Sequence, residues 1–226
     1  MSRALVIAGP SAVGKTTVAE KIMALSGGSF ELSRSLTTRG RRGDAFDDEY
    51  IYTTRQGFER ELSLGRVLEY TEYSGELYGT PLSEIERIEE SGKTPLLILD
   101  LNGVKSVSER TDVLSSCAVY LYCDNETLQN RLLFRYLSSG YSEEGEMKMK
   151  KRLEQNLADF SGLQGFSRYF YAFVKNNGCA EETANKVLGI FSDFSLGKPS
   201  CFEENTRDVE KIIDNAKSYN EIFFRR

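Results

Sequence analysis

The chain has 226 residues, 40% of them hydrophobic, and a formal net charge of −5. This length and apolar content predict one substantial core with room for small inserted subdomains. The acidic balance argues against a general affinity for nucleic acid or anionic membranes, so an anionic ligand must be held by a local basic pocket. The chain has no histidine, and its four cysteines include no Cys-x-x-Cys pair, so neither a zinc site nor an imidazole base is expected.

The sequence contains no pattern typical of a targeting or membrane segment. The apolar run from Ala4 to Gly9 is too short for a signal peptide, and no segment approaches the roughly 18 apolar residues of a membrane span. The scattered cysteines suit a reducing compartment. We therefore expect a cytoplasmic protein without membrane contacts.

Short apolar runs alternate with amphipathic segments along most of the chain. The predicted strands cover residues 5–8, 96–99, 118–122 and 173–175, and the predicted helices cover 15–25, 83–90 and the segment after 124. A capping box formed by Ser83 and Glu86 is expected to open the second helix. Unbroken apolar runs fit strands that are covered on both faces, so the order predicts an α/β fold: a parallel sheet with helices on both faces.

Three segments depart from that alternation. Residues 33–82 are polar and too long for a simple crossover, and residues 138–146 form a Gly/Ser/Glu stretch predicted to be a mobile loop. Residues 206–224 are predicted to form an amphipathic helix that covers either the core or a second subunit. Its apolar positions are Val209, Ile212, Ile213, Ala216, Tyr219, Ile222 and Phe223.

A phosphate-binding motif lies between the first predicted strand and the first helix. Residues 9–16 read Gly-Pro-Ser-Ala-Val-Gly-Lys-Thr and match the pattern G-x-x-x-x-G-K-[ST]. The glycines let backbone N–H groups turn towards phosphate oxygens, and the helix N-terminus adds positive potential. In this pattern Lys15 reaches the β- and γ-phosphates and the Thr16 hydroxyl ligates Mg²⁺. The motif predicts a P-loop phosphotransferase that uses a nucleoside triphosphate.

Charged side chains follow other predicted elements. Asp100 ends the apolar run that begins at Leu96, as in a Walker-B strand. Arg131 and Arg135 share one helix face, and Arg152 follows the predicted mobile loop. These arginines fit two interpretations, which are charge stabilisation of a transferring phosphoryl group and solvated positions on exposed helix faces.

Four arginines lie among small hydroxyl residues in the segment 33–42. Arginine matches phosphate oxygens bidentately, which favours a phosphate clamp. An RNA-binding or localisation run and a solvated loop are alternatives that composition alone leaves open.

Together these segments resemble the guanylate kinase family from about residue 3 to about residue 194. The matching motifs are Gly9-Pro10-Ser11, Gly14-Lys15-Thr16, Ser35, Thr37-Thr38-Arg39, Arg42-Gly43-Asp44, Asp48-Glu49-Tyr50, Leu68-Glu69-Tyr70, Ser74-Gly75, Tyr78-Gly79-Thr80, Ser91-Gly92-Lys93, Asp100, Gly103-Val104, Arg131-Leu132, Arg135, Arg152-Leu153 and Asn176. Ile98 departs from the family pattern, which commonly has a carboxylate there.

The resemblance implies a domain organisation. It divides the chain into a P-loop core (1–33, 83–136 and 159–196), a GMP-binding insertion (34–82) and a lid (137–158). Residues 197–226 lie beyond the resemblance and are expected to be a helical extension. The implied activity is transfer of a phosphoryl group from ATP to GMP with Mg²⁺, and dGMP is expected to serve as well.

The resemblance also implies the roles of individual residues. The GMP-binding residues would be Ser35, Arg39, Arg42, Tyr50, Glu69, Tyr78, Thr80 and Asp100. The ATP-binding residues would be Gly9, Pro10, Ser11, Ala12, Val13, Gly14, Lys15, Thr16, Thr17 and Asn176, with Asn176 near the adenine. The catalytic residues would be Lys15, Arg131, Arg135 and Arg152, and Thr16 would ligate Mg²⁺. Guanine chemistry agrees, because hydroxyls satisfy its O6 acceptor and a carboxylate satisfies its N1–H and N2–H₂ donors.

Three other functions remain open at this point. They are another nucleoside monophosphate kinase, a sugar-phosphate kinase on the same fold, and a non-catalytic binding module derived from the guanylate kinase fold. The first two would not need Glu69, Ser35 and Thr80 together, and the third is expected to have a degraded phosphate loop. The expected partners are small nucleotides rather than nucleic acid, and the expected state is a monomer or a homodimer.

Overall fold

The computed structural model describes residues 2–41, 47–73, 75–138, 143–200 and 207–212. The strands are β1 (Ser2–Ala8), β2 (Phe30–Leu32), β3 (Ser35–Thr37), β4 (Tyr50–Tyr52), β5 (Val67–Tyr73), β6 (Glu76–Pro81), β7 (Thr94–Ile98), β8 (Leu114–Tyr122) and β9 (Ala172–Lys175). The longer helices are α1 (Lys15–Leu25), α2 (Arg55–Ser63), α3 (Leu82–Glu90), α4 (Leu101–Glu109), α5 (Asn125–Ser138), α6 (Glu143–Phe166) and α7 (Ala180–Ser195).

A five-stranded parallel sheet forms the centre of the molecule, in the order β2-β7-β1-β8-β9. Residues 4–8 of β1 are almost completely buried, as are residues 117–121 of β8. These are the unbroken apolar runs of the sequence, and helices cover them on both sides. The predicted α/β fold is therefore confirmed. The carboxyl ends of β1, β7 and β8 meet at one edge, where ligands bind in such sheets.

A second, four-stranded sheet lies within residues 34–82, in the order β4-β3-β6-β5. It encloses a small separate core formed by Leu36, Phe58, Val67 and Leu77. Strand β6 approaches its neighbours closely at Gly79, where a Cβ atom would lie 2.7 Å from the Glu69 carbonyl oxygen. The insertion therefore has a small core of its own, while Leu68 on β5 packs into the core of the central sheet.

A charged network connects this small sheet to the central one. Glu84 at the start of α3 is 2% exposed. It accepts hydrogen bonds from Arg34 (Nη2 to Oε1, 2.6 Å) and from Arg87 (Nε to Oε1, 2.9 Å). Arg87 and Lys93 both also contact Glu31 on β2 at 2.6 Å. Arg34 precedes the first strand of the insertion and Glu84 follows its last strand, so the pair joins both ends of the insertion.

Two local expectations from the sequence are wrong. The Ser83–Glu86 capping box does not form, because α3 begins at Leu82 with Pro81 in the N-cap position and no side-chain cap. Of the predicted loop 138–146, Ser138 ends α5 and residues 143–146 begin α6, while residues 139–142 lie outside the described residues. Helix α6 then continues to Phe166 across the boundary expected between lid and core. The helix predicted after residue 124 is α5, and Asp124 caps it, since its Oδ1 accepts from the Thr127 amide at 2.9 Å.

Part of the C-terminal segment packs against the central core. Residues 207–212 are helical, and Val209 and Ile212 are 3% and 4% exposed within the main hydrophobic cluster. Burial and a hydrogen bond with Asp208 raise the pKa of Tyr122 on β8 to about 12. The remaining apolar positions predicted for this helix lie outside the described residues. None of the helices in the described ranges is long and apolar enough to cross a membrane.

The network around Glu84 predicts an acid-sensitive contribution to stability. Burial opposes ionisation of Glu84, but the bonds from Arg34 and Arg87 outweigh it and lower its pKa from 4.5 to about 2. Its contribution is present above pH 4.5 and is lost as the pH falls through about 2. We expect Glu84→Gln to lower the free energy of unfolding by about 1–3 kcal/mol at pH 7, measured by urea denaturation.

The matched control is Glu86→Gln, which removes the same charge from an exposed position on the same helix. It should change the free energy of unfolding by less than about 0.5 kcal/mol. The difference between wild type and Glu84→Gln should shrink as the pH approaches 2. Equal stability of the two variants at pH 7 would contradict the assigned role.

Candidate active site

The turn between β1 and α1 requires its glycines. Gly9 and Gly14 have φ angles of +146° and +101°. A Cβ atom on Gly9 would lie 2.3 Å from the Leu121 carbonyl oxygen, and one on Gly14 would lie 2.8 Å from Asn176 Nδ2. Both positions therefore exclude other residues for steric and conformational reasons. The backbone thus turns tightly at the N-terminus of α1, and a helix N-terminus attracts anions through its first amide N–H groups.

The Lys15 ammonium group is folded back on this turn. Its Nζ donates to the Gly9 carbonyl at 2.7 Å and to the Pro10 carbonyl at 3.1 Å. Burial lowers the pKa of Lys15 to about 8, while the nearby carboxylates of Asp159 and Asp100 favour the charged form. Lys15 is therefore a cation held in a poorly solvated place, ready to exchange carbonyl partners for phosphate oxygens.

A cavity of about 490 Å³ opens in front of the turn, and we call it the loop cavity. Its lining residues are Ser11, Ala12, Gly14, Lys15, Thr16, Thr17, Arg131, Arg135, Asn176, Gly178 and Ala180. Arg131 Nη1 donates to the Val13 carbonyl at 2.9 Å, and Asn176 Nδ2 donates to the same oxygen at 2.8 Å. Asn176 also accepts from Thr183 at 2.9 Å, so its amide is engaged in holding the turn.

A second cavity of about 160 Å³, the insertion cavity, lies between the two sheets. Its lining residues are Thr16, Leu32, Ser33, Ser35, Glu49, Tyr50, Thr80, Leu97, Ile98 and Leu99. The Thr80 hydroxyl, which lines it, donates to Glu69 Oε1 at 2.7 Å. Burial raises the pKa of Glu69 to about 7, the Thr80 hydrogen bond opposes this rise, and the Asp100 carboxylate adds to it. A buried carboxylate balanced near neutrality is typical of a ligand-binding site.

Aromatic rings surround Arg39 beside the insertion cavity. The Arg39 guanidinium lies 4.5 Å from the centre of the Tyr50 ring and donates to the Tyr52 hydroxyl at 3.2 Å. Tyr78 packs edge-on against Tyr50, with ring centres 6.2 Å apart. Arg39 Nε is buried without a hydrogen-bond partner among the described residues, so one donor remains for a ligand. Arg42, which the sequence analysis grouped with these residues, lies outside the described residues.

A third cavity of about 280 Å³ lies behind Lys15, and we call it the helix cavity because α6 closes it. Lys15, Asp100, Asn156 and Asp159 are among its lining residues. Burial lowers the pKa of Arg135, and the positive charge of Arg152 on α6 lowers it further. Arg152 is absent from the lining of the three cavities, so the structure brings it near Arg135 without placing it on the loop cavity.

The structure brings most of the predicted site residues to one edge of the central sheet. Lys15 and Thr16 each line two cavities, and Asp100 caps α4 by accepting from the Gly103 amide at 2.7 Å. Asn156 and Asp159 were not among the site residues predicted from the sequence. The available signal was helical spacing, because both lie on the face of α6 that carries Arg152.

A glycine-rich turn that presents a lysine and a threonine after the central strand of an α/β sheet defines a P-loop nucleotide-binding protein. The family model described as guanylate kinase matches residues 1–193. The guanylate kinase of Lactobacillus delbrueckii subsp. bulgaricus is 34% identical over 82% of this chain and 86% of its own length. That of Lactococcus lactis subsp. lactis is 35% identical over 81% of this chain and 85% of its own.

A solved structure supports the fold independently. The crystal structure of guanylate kinase from Anaplasma phagocytophilum aligns with a TM-score of 0.57 at 23% identity, over 84% of both chains. The chain belongs to the guanylate kinase family, as its sequence motifs predicted.

The contact between Thr80 and Glu69 predicts a measurable change in acidity. The Thr80 hydroxyl stabilises the ionised form of Glu69, so Thr80→Val should raise the pKa of Glu69 above its value of about 7, by about one unit. Carbon-13 NMR titration of the glutamate carboxyl groups measures it, with Glu69→Gln to assign the signal.

Thr37→Val is the matched control for this titration. Thr37 is also completely buried in the small sheet, but its hydroxyl donates to the Leu77 carbonyl rather than to Glu69. The control should leave the pKa of Glu69 unchanged. An unchanged or lowered pKa of Glu69 in Thr80→Val would show that the hydrogen bond does not stabilise the carboxylate.

Proposed function

We propose that this chain transfers the γ-phosphoryl group of ATP to GMP and releases ADP and GDP. The proposal rests on one observation. Thr16, in the first turn of α1, lines both the loop cavity and the insertion cavity. Two anionic ligands bound in these cavities would meet at Thr16. Phosphoryl transfer requires such an arrangement, because donor and acceptor oxygens must lie in line on either side of the phosphorus atom.

The loop cavity is the ATP site in this proposal. The backbone from Gly9 to Thr17 surrounds the phosphates, and Lys15 leaves the Gly9 and Pro10 carbonyls to contact the β- and γ-phosphates. Arg131 and Arg135 stabilise charge that develops on the transferring group, and Arg152 of the lid (137–158), which already lies near Arg135, joins them. Asn176 holds the loop through the Val13 carbonyl and lines the loop cavity, where it is the predicted neighbour of the adenine.

Mg²⁺ fits this site as a partner of ATP rather than as an ion held by the protein alone. The described residues contain no group of three carboxylate, cysteine or histidine side chains that could hold a metal. The Thr16 hydroxyl is the available protein ligand, and Mg²⁺ usually combines few protein ligands with phosphate oxygens and water. When bound, the ion would neutralise phosphate charge.

The insertion (34–82) holds GMP in this proposal. Ser35 offers its hydroxyl to guanine O6, and the Thr80 hydroxyl can donate to O6 only by leaving Glu69 Oε1, while ionised Glu69 accepts from N1–H and N2–H₂. Asp100 lies near enough to Glu69 to affect its acidity and completes the polar wall. Arg39, Tyr50 and Tyr78 lie together and bind the GMP phosphate, with Arg42 as a further predicted contact.

The setting of the enzyme follows from the same chemistry. Its partners are small nucleotides, and it acts in the cytoplasm, where ATP and GMP are available for guanine nucleotide synthesis. Neither nucleic acid nor a membrane is part of the proposal. It works as a monomer or a homodimer, because both nucleotide sites are built from one chain. The core (1–33, 83–136 and 159–196) and the extension (197–226) support the site.

The choice of base tests the proposal. Adenine presents an N6–H₂ donor in place of O6 and lacks the donors that Glu69 would accept, so buried groups stay unpaired. We expect kcat/KM for GMP to exceed that for AMP by about 10⁴, with dGMP accepted. Glu69→Gln should raise the KM for GMP and reduce this preference while the KM for ATP stays within about twofold. A coupled assay of ADP release measures both.

The pH dependence sharpens the same experiment. Because the pKa of Glu69 is raised to about 7, kcat/KM for GMP should rise as the pH increases through about 7, until loss of the Lys15 charge near pH 8 opposes the gain. The Glu69→Gln variant should lose the rise. Comparable use of AMP or a pyrimidine monophosphate by the wild type would contradict the assignment of GMP as acceptor.

A further inference from the structure

The phosphate loop is held from outside by one side chain of α6. Asn156 is completely buried. Its Oδ1 accepts from the Ser11 amide at 2.6 Å, and its Nδ2 donates to the Ser11 carbonyl at 3.3 Å. A single side-chain amide thus satisfies both main-chain polar groups of one loop residue, in the manner of a neighbouring β-strand. This contact joins segments 145 residues apart in the sequence.

The loop needs this support at the point where it is applied. Ala12, directly after Ser11, has a φ of +69° and is the one non-glycine residue with a positive φ in the described part of the chain. That conformation costs an alanine about 1–2 kcal/mol. A strained backbone persists only when its surroundings fix it. The bonds of Asn156 fix the peptide groups on either side of Ser11, including the one that leads into Ala12.

The same helix face carries the charges that act on the phosphate site. Arg152, Asn156 and Asp159 are spaced i, i+4 and i+7 on α6, so they lie along one face. Arg152 acts on Arg135, and Asp159 acts on Lys15. Asn156 lies between them and is the one of the three with a direct hydrogen bond to the loop backbone.

We propose that Asn156 is a positioning residue that holds the phosphate loop in the conformation that accepts the ATP phosphates and fixes α6 against it. The inference rests on the proposed function, because it concerns the ATP side of that reaction. Arg131 and Asn176 hold the loop at Val13, so the backbone at Ser11 and the placement of Arg152 and Asp159 are what depend on Asn156. Loss of the amide lets the Ser11–Ala12 peptide rotate and α6 shift, and small displacements of positioned groups strongly reduce transfer rates.

Asn156→Ala tests the inference against a purely structural role. We expect kcat/KM for ATP to fall by about 10–100-fold, while the KM for GMP changes by less than about twofold. Amide hydrogen exchange at residues 11–14 should become faster. The matched control is Leu163→Val, which alters a completely buried residue on the same helix. It should lower stability without changing loop exchange or ATP kinetics.

Asn156→Asp should recover kcat/KM for ATP at low pH, which is not expected if Asn156 only stabilises the fold. A neutral carboxylic acid accepts through its carbonyl and donates through its hydroxyl, as the amide does, whereas a carboxylate cannot donate. Its kcat/KM for ATP should therefore rise above that of Asn156→Ala as the pH falls from 8 towards 5.5. If a lower pH only removed the repulsion caused by the introduced carboxylate, kcat/KM for ATP of Asn156→Asp would rise no higher than that of Asn156→Ala. That outcome would overturn the inference.

Two readouts separate this inference from the proposed function. Affinity for a non-hydrolysable ATP analogue and exchange at residues 11–14 require no transfer to GMP, so they test Asn156 even if the acceptor is another molecule. The inference is overturned if Asn156→Ala binds the analogue and exchanges as Leu163→Val does. If Asn156→Ala does not fold, the comparison of Asn156→Asp at low and high pH decides, since its neutral form preserves the contact.

Discussion

The rest of the site depends on one positive charge, that of Lys15, which burial disfavours. Lys15 stays protonated because its ammonium group donates to the carbonyls of Gly9 and Pro10. The nearby carboxylates of Asp100 and Asp159 also favour the charged form. With a pKa of about 8 it is charged at neutral pH, but only by a small margin. An anion bound in the loop cavity would raise the pKa of Lys15 again. Part of the electrostatic stabilisation of the charged lysine is therefore supplied only by the ligand.

The insertion contains a similar arrangement for a negative charge, that of the buried Glu69 carboxylate. Burial brings the pKa of Glu69 up to about 7, and Thr80 prevents a larger rise. Hydrogen-bond donors from a bound base would stabilise its ionised form, as phosphate would stabilise charged Lys15. Lys15 lines the loop cavity and Glu69 lies behind Thr80 on the wall of the insertion cavity, so each cavity has a group whose charge the ligand would stabilise, and Thr16 lines both cavities. The two electrostatic sites thus adjoin while each is tuned by different residues.

Local sequence predicted the elements whose causes are local. The loop motif and helix α1 were predicted correctly because neighbouring residues determine both the turn at the glycines and the start of the helix. The Ser83 cap was wrong because the start of α3 is set by Pro81 and by the tertiary contact of Glu84 with Arg34. The role of Asn156 could not be read from its own helix, since its partner lies 145 residues away. The GMP-site assignments came from family resemblance rather than from pattern.

The central claim is that two different nucleotides bind side by side and meet at the loop. Calorimetric titration with adenosine and guanosine joined 5′ to 5′ by five phosphates tests it most directly. The account predicts one molecule per chain, bound at least about 100-fold more tightly than ATP or GMP alone, because linking the ligands makes the second contact intramolecular. The analogue with two adenosines should lose most of this gain. Affinity no better than that of ATP, or equal affinity for both analogues, would contradict the account.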